Sequence, residues 1–318
     1  MSDADGGDGD TVVVSGATGL VGGRLLPALV SRGEQVRALT RSPGALPPSG
    51  APALRSVEPT GWDGTAPPRA ALEGALAIVH LAGEPVFGGA PSRARRERIR
   101  ASRVESTLAI ARRLGEIPHS ARPSTLICAS AVGYYGDPAD HDAELDESTP
   151  RGTGFLAEVC GEWEEAARGA CQHGVRVVSL RIGLVLAREG GALGMMLPVF
   201  RLGLGGRLGN GRQWMPWVGI DDLVQLVLFA LDEATLSGPV NAVAPQSVSN
   251  ADFTRALGSA LRRPTLFAVP QFAIRAALGE LAGELLGSRR VVPAAATHAG
   301  FRFECPSISS LLARELEP

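Results

Sequence analysis

The chain has 318 residues, enough for one large domain or two of ordinary size, with a core that needs no disulfide or metal to hold it. A composition of 45% hydrophobic and 20% charged residues with a formal net charge of -2 describes a globular protein without a basic field for gripping nucleic acid. A small-molecule partner is therefore expected, and a nucleic-acid partner is not.

Residues 1–10, MSDADGGDGD, are acidic and rich in glycine, the opposite of a secretion signal, and read as a disordered tail. Thr11, Val12, Val13, Val14 and Ser15 then form a β-branched run, followed by Leu20, Val21, Leu25, Leu26 and Leu29 at helical spacing. Strand, tight turn and helix are implied in that order. Further strands are predicted at 35–40, 77–82 (AIVHLA) and 125–130 (TLICAS), with a helix over 93–114. The stretch 41–68 is rich in proline and glycine and reads largely as loop. One more strand is predicted at 175–186 and a last one at 239–243, with a helix over 221–232 between them. The glycine-rich stretch 189–211 interrupts the alternation. From Ser249 the pattern turns helical, with Ser249 or Asn250 as the N-cap and Pro264 past the helix end.

Alternating strands and helices predict an α/β fold, a Rossmann-type, doubly wound parallel sheet over 11–186 completed by 220–245. The segments 187–219 and 246–318 are assigned to a smaller, mainly helical region on the substrate side. No segment approaches the eighteen or so apolar residues needed to cross a bilayer, so no membrane partner is expected. Cys128, Cys160, Cys171 and Cys305 lack ligand spacing, which gives no metal site and no disulfide framework, and makes a reducing cytoplasm the expected location.

Gly16, Ala17, Thr18, Gly19, Leu20, Val21 and Gly22 place glycines three residues apart where strand meets helix. Side chains there would keep an anion from the backbone N–H groups and the positive end of the helix, so the loop reads as the seat of a dinucleotide's pyrophosphate. At the end of the second strand an acid binds the ribose of NAD, whereas a 2′-phosphate calls for arginine. Arg41 and Ser42 stand there, which predicts NADP in preference to NAD.

With the segments HLAGEPV at 80–86, SAVGYYGD at 130–137, GFLAEVCGEWE at 154–164, GNGRQWMPWVGIDD at 209–222, GPVNAVAP at 238–245 and the close at 291–303, the chain resembles the short-chain dehydrogenase/reductase superfamily. The similarity is to its extended, NAD-dependent epimerase/dehydratase branch, and within it to an atypical subgroup with an added C-terminal domain. The resemblance implies that Leu81, Ala82 and Gly83 line the cofactor, that Trp62 and Asp63 lie near the adenine, and that Ser130 holds the substrate oxygen. Many relatives dimerise through two long helices, so a homodimer is compatible with it.

The departures from the family pattern matter as much. The wider superfamily uses a Tyr-x-x-x-Lys pair, in which the ammonium tunes the phenol. All 31 basic residues of this chain are arginine and none is lysine, so that pair cannot form. Leu156 falls where the tyrosine is expected, Cys160 where the lysine is expected, and Arg103 where many relatives carry asparagine; the resemblance thus implies that Arg103, Ser130 and Cys160 lie at the cofactor. Tyr134 or Tyr135 could present a phenol in its place, and Cys160 could act as a thiol acid. His80 reads as a satisfied core histidine, and Glu158, Glu162, Glu164 and Glu165 as a solvated helix face. Arg212, Gln213 and Trp214, with Asn210, are expected to meet the substrate at the C-terminal ends of the strands. Two functions remain open on the sequence: an NADP-dependent oxidoreductase or epimerase acting on a small hydroxyl or carbonyl compound, sugar-like ones included, or a non-catalytic NADP(H)-binding sensor.

Overall fold

The structure is a computed structural model that describes residues 10–45, 57–86 and 92–317; the expected acidic tail lies outside the described residues except for Asp10. The first half of the chain runs β1 (Thr11–Ser15), α1 (Leu20–Ser31), β2 (Gln35–Thr40), β3 (Val57–Gly61), α2 (Arg69–Leu72), β4 (Ala77–His80), α3 (Arg93–Glu116) and β5 (Thr125–Ala131). It continues through β6 (Glu144–Leu145), α4 (Phe155–Arg168), β7 (Arg176–Ile182), β8 (Leu184–Ala187), α5 (Gly191–Arg201), β9 (Gly206–Leu208), β10 (Trp214–Met215), β11 (Trp217–Gly219), α6 (Ile220–Asp232) and β12 (Gly238–Ala242). The remainder comprises β13 (Val248–Ser249), α7 (Asn250–Ala260), β14 (Phe267–Val269), α8 (Gln271–Leu278), α9 (Ala282–Leu286), β15 (Arg290–Val291), α10 (Ala294–His298) and α11 (Ile308–Leu316).

Seven strands form one sheet in the order β12-β7-β5-β4-β1-β2-β3, with every neighbouring pair parallel. This is the expected Rossmann-type fold. The continuous apolar run of β1 is explained by burial on both faces: Val12 and Val14 pack toward α1 and α6, while Val13 packs on the opposite face with Ile78, Ile110 and Leu114. Chain order reverses between β1 and β4, and the crevice beyond their C-terminal ends is where open parallel sheets bind ligands.

Two sequence expectations are corrected. The strand at 175–186 is two strands, because a Cβ at Gly183 would lie 2.7 Å from the Pro216 carbonyl oxygen and Leu184 N donates to that oxygen at 2.7 Å. There the chain leaves the sheet, and β8 pairs instead with β11. The glycine-rich stretch contains a helix, α5, whose Leu193, Leu197 and Phe200 recur at helical spacing and pack in a separate cluster with Trp217, Phe253 and Leu311. Ser249 does cap α7, its hydroxyl accepting from Asp252 N at 3.1 Å.

Candidate active site

Two cavities open at the C-terminal end of the sheet. The first, about 300 Å³, is lined by Gly16, Thr18 and Gly19 of the loop after β1, by Arg41 after β2, by Trp62 and Asp63 after β3, and by Leu81, Ala82 and Gly83 after β4. Backbone packing dictates two of the glycines. Gly16 has φ +73°, and a Cβ on it would lie 2.7 Å from Leu81 C; a Cβ on Gly22 would lie 2.3 Å from Gly16 O. Gly19 is less constrained, meeting only Gly16 O at 3.2 Å, so the absence of its side chain matters chiefly to what approaches from the cleft. Gly19 also caps α1, which has no side-chain cap and no acid in its first turn, so no carboxylate of the helix itself competes for its N–H groups.

The other loop residues are placed differently. Ala17 and Val21 pack in the core, and Leu20 lies against the Cβ positions of Gly190 and Gly191. Ser42 is exposed and outside the residues lining the cavity, its N–H donating to Thr40 Oγ1 at 3.2 Å. Arg41 is exposed and forms no ion pair among the described residues. Trp62 is buried, yet its Nε1 has no hydrogen-bond partner among them. An orphaned indole N–H costs about 1–3 kcal/mol, so its position on the cleft wall fits a nucleotide acceptor supplied from outside the chain.

Below this cleft His80 is fully buried. Ser106 Oγ donates to Ser102 O at 2.7 Å, so it accepts from His80 Nε2 at 3.1 Å, and Nδ1 accepts from Ser15 Oγ at 2.6 Å. Ser15 Oγ also takes the Ala82 N–H at 3.4 Å, which ties the end of β4 to β1 beneath the phosphate loop. Burial pushes the imidazole pKa down to about 3, so His80 is the neutral core histidine expected from the sequence.

The second cavity, about 190 Å³, is largely apolar: Val86, Ile182, Leu184, Met196, Leu208, Trp214, Met215 and Leu285 line it with Ala131, Val132, Gly133 and Leu156. Its charged groups are Glu284 and Arg289. The Glu284 carboxylate pairs with the Arg289 guanidinium at 3.1 Å, and its Oε2 comes within 3.5 Å of the Cβ position of Gly133. Leu156 Cβ lies 3.4 Å from the same point, so Glu284 and the residue that replaces the family's tyrosine both approach Gly133. Gln213 Nε2 donates to Leu285 O at 3.3 Å, and Ser288 N donates to Asp137 Oδ1 at 3.1 Å. Arg289 Nε donates to Gly136 O, so the segment carrying Glu284 is fastened over the cavity at several points.

The residues expected to do chemistry are brought together, but not around the cavity. Ser130 Oγ donates to Glu164 Oε1 at 2.7 Å, and Arg181 grips both carboxylate oxygens, Nε at 2.8 Å and Nη2 at 2.9 Å. Arg181 Nη1 also donates to the Tyr135 hydroxyl at 3.0 Å, which reaches Asn241 Oδ1 at 2.7 Å. The Tyr134 ring stacks on the same guanidinium, 3.5 Å from its carbon. Glu164 is only 6% exposed, which corrects the solvated-face reading; it follows Cys160 by four residues and Ala157 by seven, on the apolar side of α4. This network joins β5, α4, β7 and β12 and fixes the loops after β5 and β7 that floor the apolar cavity.

Cys160 is buried, and burial pushes its thiol up to about 12, which disfavours the thiolate it would leave as an acid. Tyr135 is likewise pushed up to about 12 by burial. Arg103 donates to Glu84 O at 2.9 Å, lies 5.3 Å from the Trp163 ring centroid, and comes within 3.2 Å of the Cβ position of Gly83. It makes no ion pair among the described residues, and burial lowers its pKa. Of the three residues assigned to substrate, Trp214 lines the cavity, Gln213 is buried in hydrogen bonds to Leu208 O and Leu285 O, and Arg212 is exposed and outside the lining. Glu284 and Arg289 went unread in the sequence, where GELLGSRR reads as an ordinary charged helix end.

Comparison with known proteins identifies the family. The model of the NAD dependent epimerase/dehydratase family matches residues 12–243, and a domain of unknown function, DUF1731, matches 269–315. The epimerase family protein SDR39U1 homolog, chloroplastic, of Arabidopsis thaliana is 38% identical, over 95% of this chain and 85% of that protein. The epimerase family protein Mb2239 of Mycobacterium bovis is 41% identical, over 95% of this chain and 96% of that protein. The crystal structure of human epimerase family protein SDR39U1 (isoform 2) with NADPH superposes with a TM-score of 0.84 at 31% identity, covering 96% of this chain and 98% of that one. With its intact phosphate loop, its missing Tyr/Lys pair and its added C-terminal segment, the chain belongs to the NAD dependent epimerase/dehydratase family, among the SDR39U1-like epimerase family proteins.

Proposed function

We propose that the protein is an NADP-dependent oxidoreductase acting on a small, largely apolar carbonyl or alcohol compound. The observation that carries this reading is the pairing of a nucleotide cleft with an apolar cavity of about 190 Å³ whose acidic lining group, Glu284, shares the lining with Leu156, the residue that replaces the family's tyrosine. A dry cavity of about 150 Å³ accommodates benzene, so this volume suits a single ring or a short branched chain better than a nucleotide sugar.

Arg41 would hold the 2′-phosphate, the N–H groups at the start of α1 the pyrophosphate, and Trp62 Nε1 an acceptor on the adenosine half. This choice of cofactor is supported by the NADPH in the human SDR39U1 crystal structure. When bound, such a cofactor supplies hydride chemistry at the substrate carbon. Glu284 takes up the proton of a substrate hydroxyl, or returns it to a carbonyl oxygen, as a general base and acid. Arg289 fixes the carboxylate from the side, and the apolar lining excludes water. Arg103, beside Gly83 and within electrostatic reach of Cys160, supplies positive charge where the family's lysine would stand.

The test combines NADPH and NADH titrations with an NADPH-consumption assay across small aliphatic and aromatic aldehydes and ketones, alongside nucleotide sugars. Turnover of the small compounds supports the reading. Turnover of nucleotide sugars alone overturns the substrate class, and tight binding with complete inertness favours the non-catalytic sensor.

A further inference from the structure

One surface of the molecule combines exposed apolar side chains with uncompensated positive charge. Met195, Val199 and Leu202 lie at positions i, i+4 and i+7 along α5 and its C-cap, and Met195 and Leu202 are 71% and 75% exposed. The chain continues through exposed Leu204 into β9, which pairs with β14, Phe267 opposite Gly206 and Val269 opposite Leu208. Leu266 is 87% exposed, Phe267 and Val269 are exposed, and Phe272 at the start of α8 is 76% exposed. Pro264 lies 3.8 Å from the Cβ position of Gly203, and Gly209 N donates to Val269 O at 2.8 Å, so these elements form one continuous face. Large apolar side chains gathered in this way mark an interaction surface.

The charge on this face is one-sided. Both contributing stretches, 190–220 and 253–279, contain no aspartate or glutamate, in a chain whose net charge is -2. Arg201, Arg262, Arg263 and Arg275 are exposed there, and none forms an ion pair among the described residues. Contact between two copies through this face about a two-fold axis would bring arginines against arginines, which costs energy. A surface with negative headgroups over an apolar interior complements both features.

We propose that this face docks the protein on an anionic lipid bilayer as a peripheral, interfacial contact. Among the described residues no helix is long and apolar enough to cross a bilayer, and interfacial docking needs none. Docking requires only shallow insertion of Leu202, Leu266, Phe267 and Phe272, with the arginines at headgroup level. Met196 of α5 and Leu208 of β9 line the apolar cavity, and Leu208 shares a side of the β9–β14 pair with Phe267 and Val269, so the docked face adjoins that cavity. The docking proposal stands on the face alone, whether or not the cavity turns over a carbonyl compound.

The test is co-sedimentation of the full chain with vesicles of phosphatidylglycerol and phosphatidylcholine, and with vesicles of phosphatidylcholine alone. Binding to the anionic vesicles that weakens with salt is expected. Each basic side chain near such a surface contributes about fivefold, from about 1 kcal/mol per residue. The Arg262→Gln/Arg263→Gln variant therefore binds more than tenfold more weakly, and Leu202→Ser/Phe272→Ser no longer sediments with vesicles. All four positions are exposed, and circular dichroism checks that the variants keep the fold. Absence of binding, or equal binding to neutral vesicles with no response to the arginine variant, overturns the proposal. So does a dimer in light scattering that Leu202→Ser/Phe272→Ser dissociates, which would assign the face to a second copy.

Discussion

Replacing Arg181 with methionine would leave the Glu164 carboxylate buried with one of its three side-chain donors, the Ser130 hydroxyl. Removing one partner of a buried ion pair costs about 3–5 kcal/mol, a large part of the 5–15 kcal/mol that separates folded from unfolded protein. The unfolding entropy of a 318-residue chain is about 0.7 kcal/mol per kelvin at about 2.1 cal/mol/K per residue, so the expected fall in Tm is about 4–7 °C. Urea denaturation and calorimetry of Arg181→Met, Glu164→Gln and the double variant would measure it. The double variant, with no charge left at the site, should be more stable than Arg181→Met alone, with a coupling of about 2 kcal/mol or more. A loss below about 1 kcal/mol in Arg181→Met, or strict additivity in the cycle, would refute the argument that this pair is a coupled buried unit.

The same network predicts that Ser130→Ala lowers stability by about 1.5–3 kcal/mol, through loss of a hydrogen bond to a charged group, and leaves nucleotide affinity within about threefold; titration with NADPH and urea unfolding separate the two effects. His80, whose pKa falls from 6.5 to about 3 on folding, binds fewer protons folded than unfolded, so its contribution is complete above pH 6.5 and is lost as the pH falls toward 3. Wild type should lose about 2 kcal/mol more than His80→Gln between pH 7 and pH 5 in paired urea titrations, and equal losses would contradict the assignment. Arg41→Gln should weaken NADPH by about tenfold to a hundredfold and leave NADH nearly unchanged, measured by calorimetry. Gly22→Ala, whose Cβ would meet Gly16 O at 2.3 Å, should abolish binding of both nucleotides. With a substrate in hand, Glu284→Gln should lower kcat by about a hundredfold or more without changing NADPH affinity.

Some of this was legible one residue at a time. The strand of Thr11–Ser15, the glycines at Gly16 and Gly22 and the arginine after β2 follow local rules of period, backbone conformation and charge, so order along the chain was enough to read a dinucleotide fold. The absence of lysine likewise excluded the usual catalytic pair on composition alone. What replaces that pair was not legible. Glu284 reaches the Leu156 and Gly133 end of the cavity from more than 120 residues away, and Ser130 turns to Glu164 because Arg181 makes a carboxylate tolerable inside the sheet's edge. Local sequence determined where an anion could sit. Only the packing of distant segments decided which charged groups meet in the apolar cavity, because burial and pairing depend on neighbours in space rather than along the chain.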